Sequence, residues 1–554
     1  MQDNNYWTRF NRGRVSRRGF LVGGATVSAG LATAALIGCS SNDNGTSTSG
    51  TQVSAQPKYG GTISISTTND APHMDLHQTN SIFQASSGIG VVYSRLFRKK
   101  IGGGGLPTAY ITEGDAVQSV ETPDPTHYIF HLQRGIKYQN LPPVNGRELV
   151  ANDVIQSFNR QISEKFNAEL LADVASMKAT DDYTLNFELK SPNADFLLAL
   201  TDARAPIIPH ETWELKGDLR AGPIVGSGAW MFDTFTQNQN TALKKNPTYF
   251  RTGFPYADAL TFPRIPDPNT AQSAIRTGQT HLITQVNKQI ADTLKSSNSS
   301  LVFVESRLDS QLGGNKIWIH NDVNNGSKLQ VRQAISKAIN RAAIIQAIEF
   351  GSGFLTAGTG VPDLAWQLPD DELNRLLAFD LAGAKTLMQQ AGVSSWNVQF
   401  FAGIKQFASI IASAELITAQ LKEIGINSTI VQVDNVQLLN NAWTNGEWDM
   451  GLGGQQPQIS PTSNLEKFYK STGSQNGYKI NDPTLDGLIV QQKQAVGNPT
   501  QRKDLLQQIQ RRVIDQAVLI PVETTVGGVM ISGSLKNFIQ SNNENSRFEM
   551  AWLE

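Results

Sequence analysis

Two pairs of histidines lie four residues apart, His73 with His77 and His127 with His131. On a helix this spacing places two imidazole rings on one face, where they could bind zinc. His127 and His131 fall in an alternating pattern that predicts a strand, in which four residues span about 13 Å, too far for one ion. His73 and His77 lie in a proline-containing loop with aspartates nearby. We interpret these histidines as surface or structural residues and predict neither a metal nor a cofactor; a metal at His73 and His77 is the alternative.

The sequence lacks the local motifs of several common enzyme classes. It has no Gly-x-Ser-x-Gly elbow, P-loop or Cys-x-x-Cys pair, and Gly102–Gly105 lacks the spacing and the lysine of a phosphate-binding loop. We therefore predict a binding protein and not an enzyme. Carboxylates that only folding brings together leave no local signature, so a surface-anchored hydrolase is the alternative from a different functional class.

The N-terminal residues resemble an export signal that ends in a lipidation site. Arg17 and Arg18 precede an uncharged, Gly/Ala-rich run from Leu21 to Ile37, the pattern of a twin-arginine signal. Cys39 is the only cysteine and ends a Leu-Ile-Gly-Cys sequence that resembles the bacterial lipobox. The alternative is an ordinary small residue at the end of the signal. We predict that residues 1–38 are a twin-arginine-type lipoprotein signal peptide and that Cys39 is acylated.

The segment after the signal is predicted to be a flexible tether. Residues 39–57 are mostly Ser, Thr, Gly, Asn and Gln, a composition that buries too little apolar surface to fold. Removing residues 1–38, with five arginines and one aspartate, leaves 42 basic and 47 acidic residues, a net charge of −5. This charge argues against nucleic acid as a partner. The remaining length of about 500 residues predicts two or three domains.

Strand and helix patterns alternate along the rest of the chain, which favours an α/β fold. Apolar residues alternate with mostly polar ones in Tyr128–Leu132 and in Tyr183–Leu189, as expected of half-buried strands. Between them a helix is predicted from about Val150 through Phe158. Asn152 or Asp153 could cap the amide groups at its start.

A βαβ unit is predicted between residues 380 and 433. Asp380 can cap a helix that Gly392 ends, after which Trp396, Val398 and Phe400 alternate as in a strand. A second apolar helix follows over 407–424, and then a strand over 429–433. Strands joined in this way lie parallel. Upstream, one apolar helix face is formed by Val331, Ala334, Ile335, Ala338 and Ile339.

Several segments, in order, resemble landmarks of the family 5 extracellular solute-binding proteins, which include dipeptide- and oligopeptide-binding proteins. These segments are Tyr59–Ile63, Asp70–Pro72, Tyr93–Leu96, Gly135–Tyr138, Asn145–Val154, Ile208–His210, Gly226–Trp230, Lys244–Phe250 and Val331–Arg341. The chain is therefore identified as a member of this family, with the resemblance running from about residue 59 to 486.

The resemblance implies a type II-like, two-lobed α/β clamshell of the periplasmic-binding-protein kind. Lobe 1 would comprise residues 58–310, with an inserted subdomain at about 86–204, and would be completed by the C-terminal return at 521–554. Lobe 2 would comprise residues 311–520. A small solute would bind between the lobes and pass to the permease subunits of an ABC importer. We expect a monomer, exported and lipid-anchored on the outer face of the cytoplasmic membrane or in the periplasm.

The ligand class is predicted from one departure from the peptide-binding members. In those members a Trp-x-x-Asp-like stretch in the second lobe pairs a carboxylate with the peptide's ammonium group. Here the stretch after Trp448 has no acidic residue between Asp449 and Glu466. Neutral amides can bind hydroxyls and carbonyls but cannot neutralise a buried cation. We therefore predict a peptide-like or other polar solute without an essential free ammonium group, with oligosaccharides and metal chelates as alternatives.

Seven residues are candidates for ligand contact, each with a structural alternative. The three glutamines of the acid-free stretch could instead form an exposed loop, and the four aromatic residues could instead pack in a core. The candidates are Phe83, Tyr93, Trp366, Trp443, Gln455, Gln456 and Gln458.

Overall fold

The computed structural model describes residues 56–68, 70–79, 81–101, 107–215, 217–306, 314–361, 366–404, 408–433, 448–454, 460–539 and 546–554. Residues 57–554 form one structural unit. Among the described residues, no helix combines the length and the apolar character needed to span a membrane.

The strands within this part of the chain are short and alternate with helices. In chain order they are β1 (Thr62–Ser64), β2 (Phe97–Ile101), β3 (Pro107–Gly114), β4 (Val117–Asp124), β5 (His127–Leu132), β6 (Val174–Asp181), β7 (Thr184–Leu189), β8 (Trp230–Thr236), β9 (Asn240–Lys245), β10 (Ala259–Pro263), β11 (Leu282–Asn287), β12 (Val302–Ser306), β13 (Asn315–Ile319), β14 (Trp396–Ile404), β15 (Ile426–Val433), β16 (Met450–Gly453), β17 (Leu519–Glu523), β18 (Gly527–Ile531), β19 (Leu535–Lys536) and β20 (Trp552–Leu553).

The helices are concentrated in the second half of the chain. In chain order they are α1 (Ile82–Ser86), α2 (Ala151–Glu164), α3 (Phe196–Ala199), α4 (Glu211–Glu214), α5 (Pro268–Arg276), α6 (Lys288–Ser297), α7 (Leu329–Ala338), α8 (Arg341–Ile348), α9 (Asp370–Leu376), α10 (Leu381–Gln390), α11 (Ala408–Lys422), α12 (Pro461–Phe468), α13 (Pro483–Gln494) and α14 (Pro499–Asp515). Short 3-10 helices cover Leu76–Gln78, Ile89–Val92, Ala168–Leu171, Asn324–Ser327 and Phe548–Met550.

The strands form four sheets and two hairpin-like pairs. The first sheet has the order β1-β10-β9-β8, and the second has the order β4-β5-β7-β6. A three-stranded sheet has the order β11-β18-β12, and a five-stranded mixed sheet has the order β15-β14-β16-β13-β17. The pairs are β2 with β3 and β19 with β20. The fold is thus α/β, as the sequence predicts.

The second sheet confirms the two strands predicted around a helix. β5 and β7 pair antiparallel, and their buried aromatic residues pack against Phe158 of α2. Asp153 caps α2, since its carboxylate accepts a hydrogen bond from the Val150 amide at 2.9 Å. The helix runs to Glu164, beyond the predicted end at Phe158. Fully burying aromatic side chains contributes about 1.5–3 kcal/mol each, which makes this cluster a stable platform.

The five-stranded sheet confirms the predicted βαβ unit. β14 and β15 pair in parallel, with Trp396 opposite Ile426, and α11 connects them. Asp380 caps α10 as predicted, accepting a hydrogen bond from the Gly383 amide at 2.8 Å. Gly392 has a φ of 66° just after α10, a left-handed conformation that costs glycine little. The predicted apolar face of α7 is fully buried in the core of this sheet.

The chain passes twice between the three-stranded and the five-stranded sheet. β12 ends at Ser306 and β13 begins at Asn315, whereas β17 ends at Glu523 and β18 begins at Gly527. We call residues 57–306 together with 527–554 the first region, and residues 314–523 the second region. C-terminal residues return to the core of the first region, where Phe548 and Ala551 pack with Ile63 and Trp230.

Candidate functional site

Most of the predicted functional residues lie outside the described residues. These are Arg17, Arg18, Cys39, Trp443, Gln455, Gln456 and Gln458. The described residues on either side of the glutamines are Gly454, which follows β16, and Ser460, which precedes α12. Side chains close to these two flanks are therefore candidates for a ligand site.

Tyr93 lies inside the first region and does not line an open surface. Its side chain is 1% exposed and belongs to the same core as Trp230. With Arg95 and Trp230 it lines a small cavity of about 40 Å³, and burial raises the pKa of its hydroxyl. The buried position favours the structural alternative for Tyr93, and ligand contact by this residue stays a prediction.

Phe83 is half-buried on α1 and contacts Phe262 edge to face, with ring centroids 6.1 Å apart. Aromatic pairs prefer this geometry, which orients the ring against the first-region core. Packing thus accounts for part of the ring, and the residue stays partly exposed. Ligand contact by Phe83 stays a prediction.

Trp366 lies in the second region above a buried arginine. The Arg502 guanidinium carbon is 5.5 Å from the centre of the indole ring, within the range of a cation–π contact. The Trp366 carbonyl accepts a hydrogen bond from the Gln510 side chain at 2.9 Å. The half-buried ring therefore has one face against Arg502, and its role in ligand contact stays a prediction.

The first turn of α12 meets a side chain from the first region. Ser460 caps α12, and its hydroxyl accepts a hydrogen bond from the Ser463 amide at 3.2 Å. The Thr462 amide in the same turn donates to Asp195 at 3.0 Å. Asp195 belongs to the first region, just before α3. The two regions are thus in contact a few residues from the flank of the glutamine stretch.

Asp195 also forms a buried ion pair across the two regions. Its carboxylate lies 2.5 Å from Arg502 Nη2, and the two side chains are 3% and 5% exposed. Burial alone would raise the pKa of Asp195, but the charge of Arg502 and hydrogen bonds from Arg502 and Thr462 lower it overall. Asp195 is therefore ionised at neutral pH, and the contact is charged.

A second group of buried polar contacts lies at the other flank. Lys316 on β13 pairs in register with Gly453 on β16, and its ammonium donates to the Gly358 carbonyl at 2.8 Å. The Tyr469 hydroxyl donates to the same carbonyl at 2.7 Å. Burial lowers the pKa of Lys316 to about 7. The Gly358 carbonyl is therefore held by two buried side chains, and all three residues belong to the second region.

Asp195, Arg502 and Lys316 were not found by the sequence analysis. Asp195 and Arg502 are 307 positions apart, and neither belongs to a motif with a recognisable spacing. A buried charge whose partner lies so far along the chain leaves no local signature.

The histidine pairs occupy structural positions. His127 and His131 lie on β5, as predicted, where they contact Asp124 at 2.6 Å and Glu121 at 2.8 Å. His77 is fully buried, and its Nδ1 lies 2.9 Å from a guanidinium nitrogen of Arg160. A guanidinium at this atom occupies the place that a metal would take, which argues against the metal alternative for His73 and His77.

One group of possible metal ligands among the described residues is paired with an arginine. Asp153, His210 and Glu211 have ligand atoms within 4.8 Å of one another. The Arg147 guanidinium lies 2.6 Å from Asp153 and 2.5 Å from Glu211. The guanidinium pairs with both carboxylates and shares its one positive charge between them, so we interpret the group as an ion-pair network.

Comparisons with known proteins agree with the fold. A model of the bacterial extracellular solute-binding proteins, family 5, matches residues 112–476. Heme-binding protein A of Haemophilus influenzae is 26% identical over 483 residues, 81% of this chain and 84% of that protein. The dipeptide-binding protein of Escherichia coli is 25% identical over 468 residues, 78% of this chain and 84% of that protein.

Solved structures of the same fold cover nearly the whole chain. The periplasmic binding protein DppA of Helicobacter pylori, in complex with the peptide STSA, has a TM-score of 0.70 and 23% identity. The match covers 90% of this chain and 99% of that one. HbpA2 of Haemophilus parasuis has a TM-score of 0.76 and 20% identity, covering 89% of this chain and 100% of that one. At these identities the structural likeness establishes the fold.

Proposed function

Because the chain belongs to the family 5 extracellular solute-binding proteins, we propose that it is the ligand-capturing lipoprotein of an ABC import system. It encloses a peptide-like or other small polar solute between lobe 1 (58–310 with 521–554) and lobe 2 (311–520). It then delivers the solute to a membrane permease.

The buried contact of Asp195 with Thr462 and Arg502 is the observation that carries this proposal. It joins the two regions beside the flank of the acid-free stretch. A solute held between the regions would touch both of them only when they approach one another. Such a ligand stabilises the closed state by its difference in affinity for the two states, which is how a binding protein signals occupancy.

The ligand class follows from the chemistry of the acid-free stretch and not from the relatives. Their names include a heme-binding and a dipeptide-binding protein, so membership of the family does not select one solute. No acidic residue lies between Asp449 and Glu466 in the sequence. A buried ammonium group placed there would have no carboxylate from this stretch, at a cost of several kcal/mol. The proposed ligand is therefore a solute without an essential free ammonium group.

Export and anchoring rest on the N-terminal sequence. Arg17 and Arg18 would direct export, and acylated Cys39 would hold the protein at the outer face of the cytoplasmic membrane or in the periplasm. Replacing Cys39 with serine should release the protein from membranes into the soluble fraction, whereas R17K with R18K should leave it inside the cell. Membrane retention of the Cys39→Ser variant would refute the anchor.

A thermal-shift screen of residues 58–554 tests ligand capture directly. The panel contains di- to pentapeptides, oligosaccharides and metal chelates. A ligand at 100 times its Kd stabilises the folded state by about 2.7 kcal/mol, which is a clear shift of the melting curve. Mass spectrometry after long incubation should recover the ligand unchanged. Turnover of the ligand would instead favour the surface-anchored hydrolase.

A further inference from the structure

A short segment of the first region, residues 193–195, makes several contacts with the second region. The Ala194 amide donates to the Lys493 carbonyl at 2.8 Å, and the Ala194 carbonyl accepts from Arg502 Nη1 at 3.3 Å. Lys493 also lies 3.1 Å from the Asp173 carboxylate. The segment thus lies against both α13 and α14 of the second region.

The first-region side of this contact is preorganised. The Asn193 side chain donates to Asp173 at 2.8 Å and accepts from the Asp195 amide at 2.8 Å. The turn before α3 is therefore fixed by contacts within the first region. Asp195 projects from this turn, so contacts within the first region help to position it.

In the second region, hydrogen-bond donors and a guanidinium are held where the Asp195 carboxylate binds. Gln492 Oε1 lies 3.3 Å from both Arg502 Nε and Arg502 Nη2, and Trp366 covers the guanidinium. The Thr462 amide and Arg502 Nη2 then donate to the two carboxylate oxygens of Asp195. The second region supplies hydrogen-bond donors and a positive charge, and the first region supplies the carboxylate.

The composition of the contact suits a surface that opens and closes. Its ion pairs and hydrogen bonds involve Asp173, Lys493, Asp195, Arg502 and Thr462. Interfaces between moving domains are more polar than permanent ones, because both surfaces meet water when they separate. Each of these groups can be solvated after separation, whereas a large apolar contact would resist opening.

We propose that Asp195 is a positioning residue for closure, which binds Arg502 and the first turn of α12 when the two regions approach. By holding Thr462 it fixes α12, and therefore Ser460 at the end of the acid-free stretch, against the first region. The inference rests on the proposed solute-binding function and names the contact that stabilises its closed state. Asp195 does not contact the ligand. It affects the binding of any ligand by changing the fraction of molecules that are in the closed state.

This role has a consequence that a ligand-contacting residue would not share. The apparent Kd equals the intrinsic Kd divided by the fraction of molecules in the competent state. Removing the carboxylate of Asp195 lowers that fraction before any ligand binds. Affinity should therefore fall by the same factor for every ligand, and the change of conformation should be visible without ligand.

A distance measurement on the ligand-free protein tests the proposal. Cys39 is the only cysteine, so the full chain with Cys39→Ser accepts spin labels at two introduced sites. Lys178→Cys on β6 and Gln508→Cys on α14 place exposed labels on the first and second regions. Asp195→Asn should shift the distance distribution to longer values than those of the labelled parent.

Asp202→Asn is the matched control. Asp202 is also buried and pairs with Arg204 at 2.7 Å, but both residues lie in the first region. Its loss should lower the melting temperature and leave the label distance unchanged. If Asp195→Asn also lowers the melting temperature while keeping the parental distance, the contact is permanent and the proposal is overturned. Because no ligand is needed, this result is independent of whether the ligand screen succeeds.

Discussion

Several buried arginines of the first and second regions are paired in different ways. In the first region Arg160 meets Asp75 at 2.5 Å and Arg204 meets Asp202 at 2.7 Å, although the buried Arg95 donates to backbone carbonyls, among them that of Gly90 at 2.8 Å. In the second region Arg341 donates instead to backbone carbonyls, at 2.8 Å to Pro521 and 2.7 Å to Leu377. Arg332 similarly donates to the Gly326 carbonyl at 2.9 Å.

Two buried groups of the second region have a pKa near neutrality. Burial lowers the pKa of Arg341 to about 9 and that of Lys316 to about 7. Burial also raises the pKa of Glu523 to about 7. Glu523 is the last residue of β17, next to the passage to β18. A buried group with an oppositely charged partner stays ionised over a wide pH range. A buried group that contacts only dipoles has a pKa closer to neutrality.

The largest expected effect comes from breaking a pair in the first region. Asp75→Ala removes the buried partner of Arg160 and leaves it with the more exposed Glu164 at 3.5 Å, which should reduce the free energy of unfolding by about 3–5 kcal/mol. Urea denaturation measures the change. The control is Asp233→Ala, which breaks an exposed pair with Lys244 at 3.0 Å and should cost less than about 1 kcal/mol. Equal losses in the two variants would show that burial does not distinguish the pairs.

A smaller effect is expected from Lys316 in the second region. Its folded-state pKa of about 7 is below the unfolded value of 10.5, so the unfolded state binds more protons between these values. The free energy of unfolding should therefore rise by about 2 kcal/mol from pH 7 to pH 9. Lys316→Met should remove that part of the rise, as measured by urea denaturation at both pH values. Identical pH slopes in the parent and the variant would contradict the account.

His77 is predicted to have the smallest of these effects, at lower pH. Burial and the charge of Arg160 lower its pKa to about 3, from the ordinary value of 6.5. The unfolded state again binds more protons, so stability should fall by about 1.4 kcal/mol as the pH drops from 7.5 to 5.5. His77→Gln should lack this contribution. The free energy of unfolding of the parent minus that of His77→Gln, measured at both pH values, gives the contribution of His77. Glu523 is present in both proteins and cancels, although its raised pKa makes stability increase as the pH drops.

Local patterns predicted much of the fold because their causes are local. The alternation in β5 and β7, the cap at Asp380 and the parallel β14–α11–β15 unit each depend on residues close together in the chain. Long-range contacts were not predicted. The pairing of Asp195 with Arg502 depends on how the two regions meet.

Local sequence also did not predict which candidate aromatic residues are buried. Tyr93 and Trp366 were equally plausible ligand contacts from their sequence context. Tyr93 is buried in the first-region core, whereas Trp366 lies half-buried over Arg502. Which face of a strand or turn points inward depends on packing partners from distant segments, and these are not specified by the neighbouring residues.

Calorimetric titration with matched peptides tests the central claim most directly. Each peptide that shifts the melting curve is compared with its N-acetylated form, which keeps the side chains and removes the ammonium charge. The account predicts that acetylation leaves the Kd within about threefold, or improves it. A loss of tenfold or more, about 1.4 kcal/mol, in every matched pair would show that a free ammonium group is required. The protein would then be a conventional receptor for free-amine peptides.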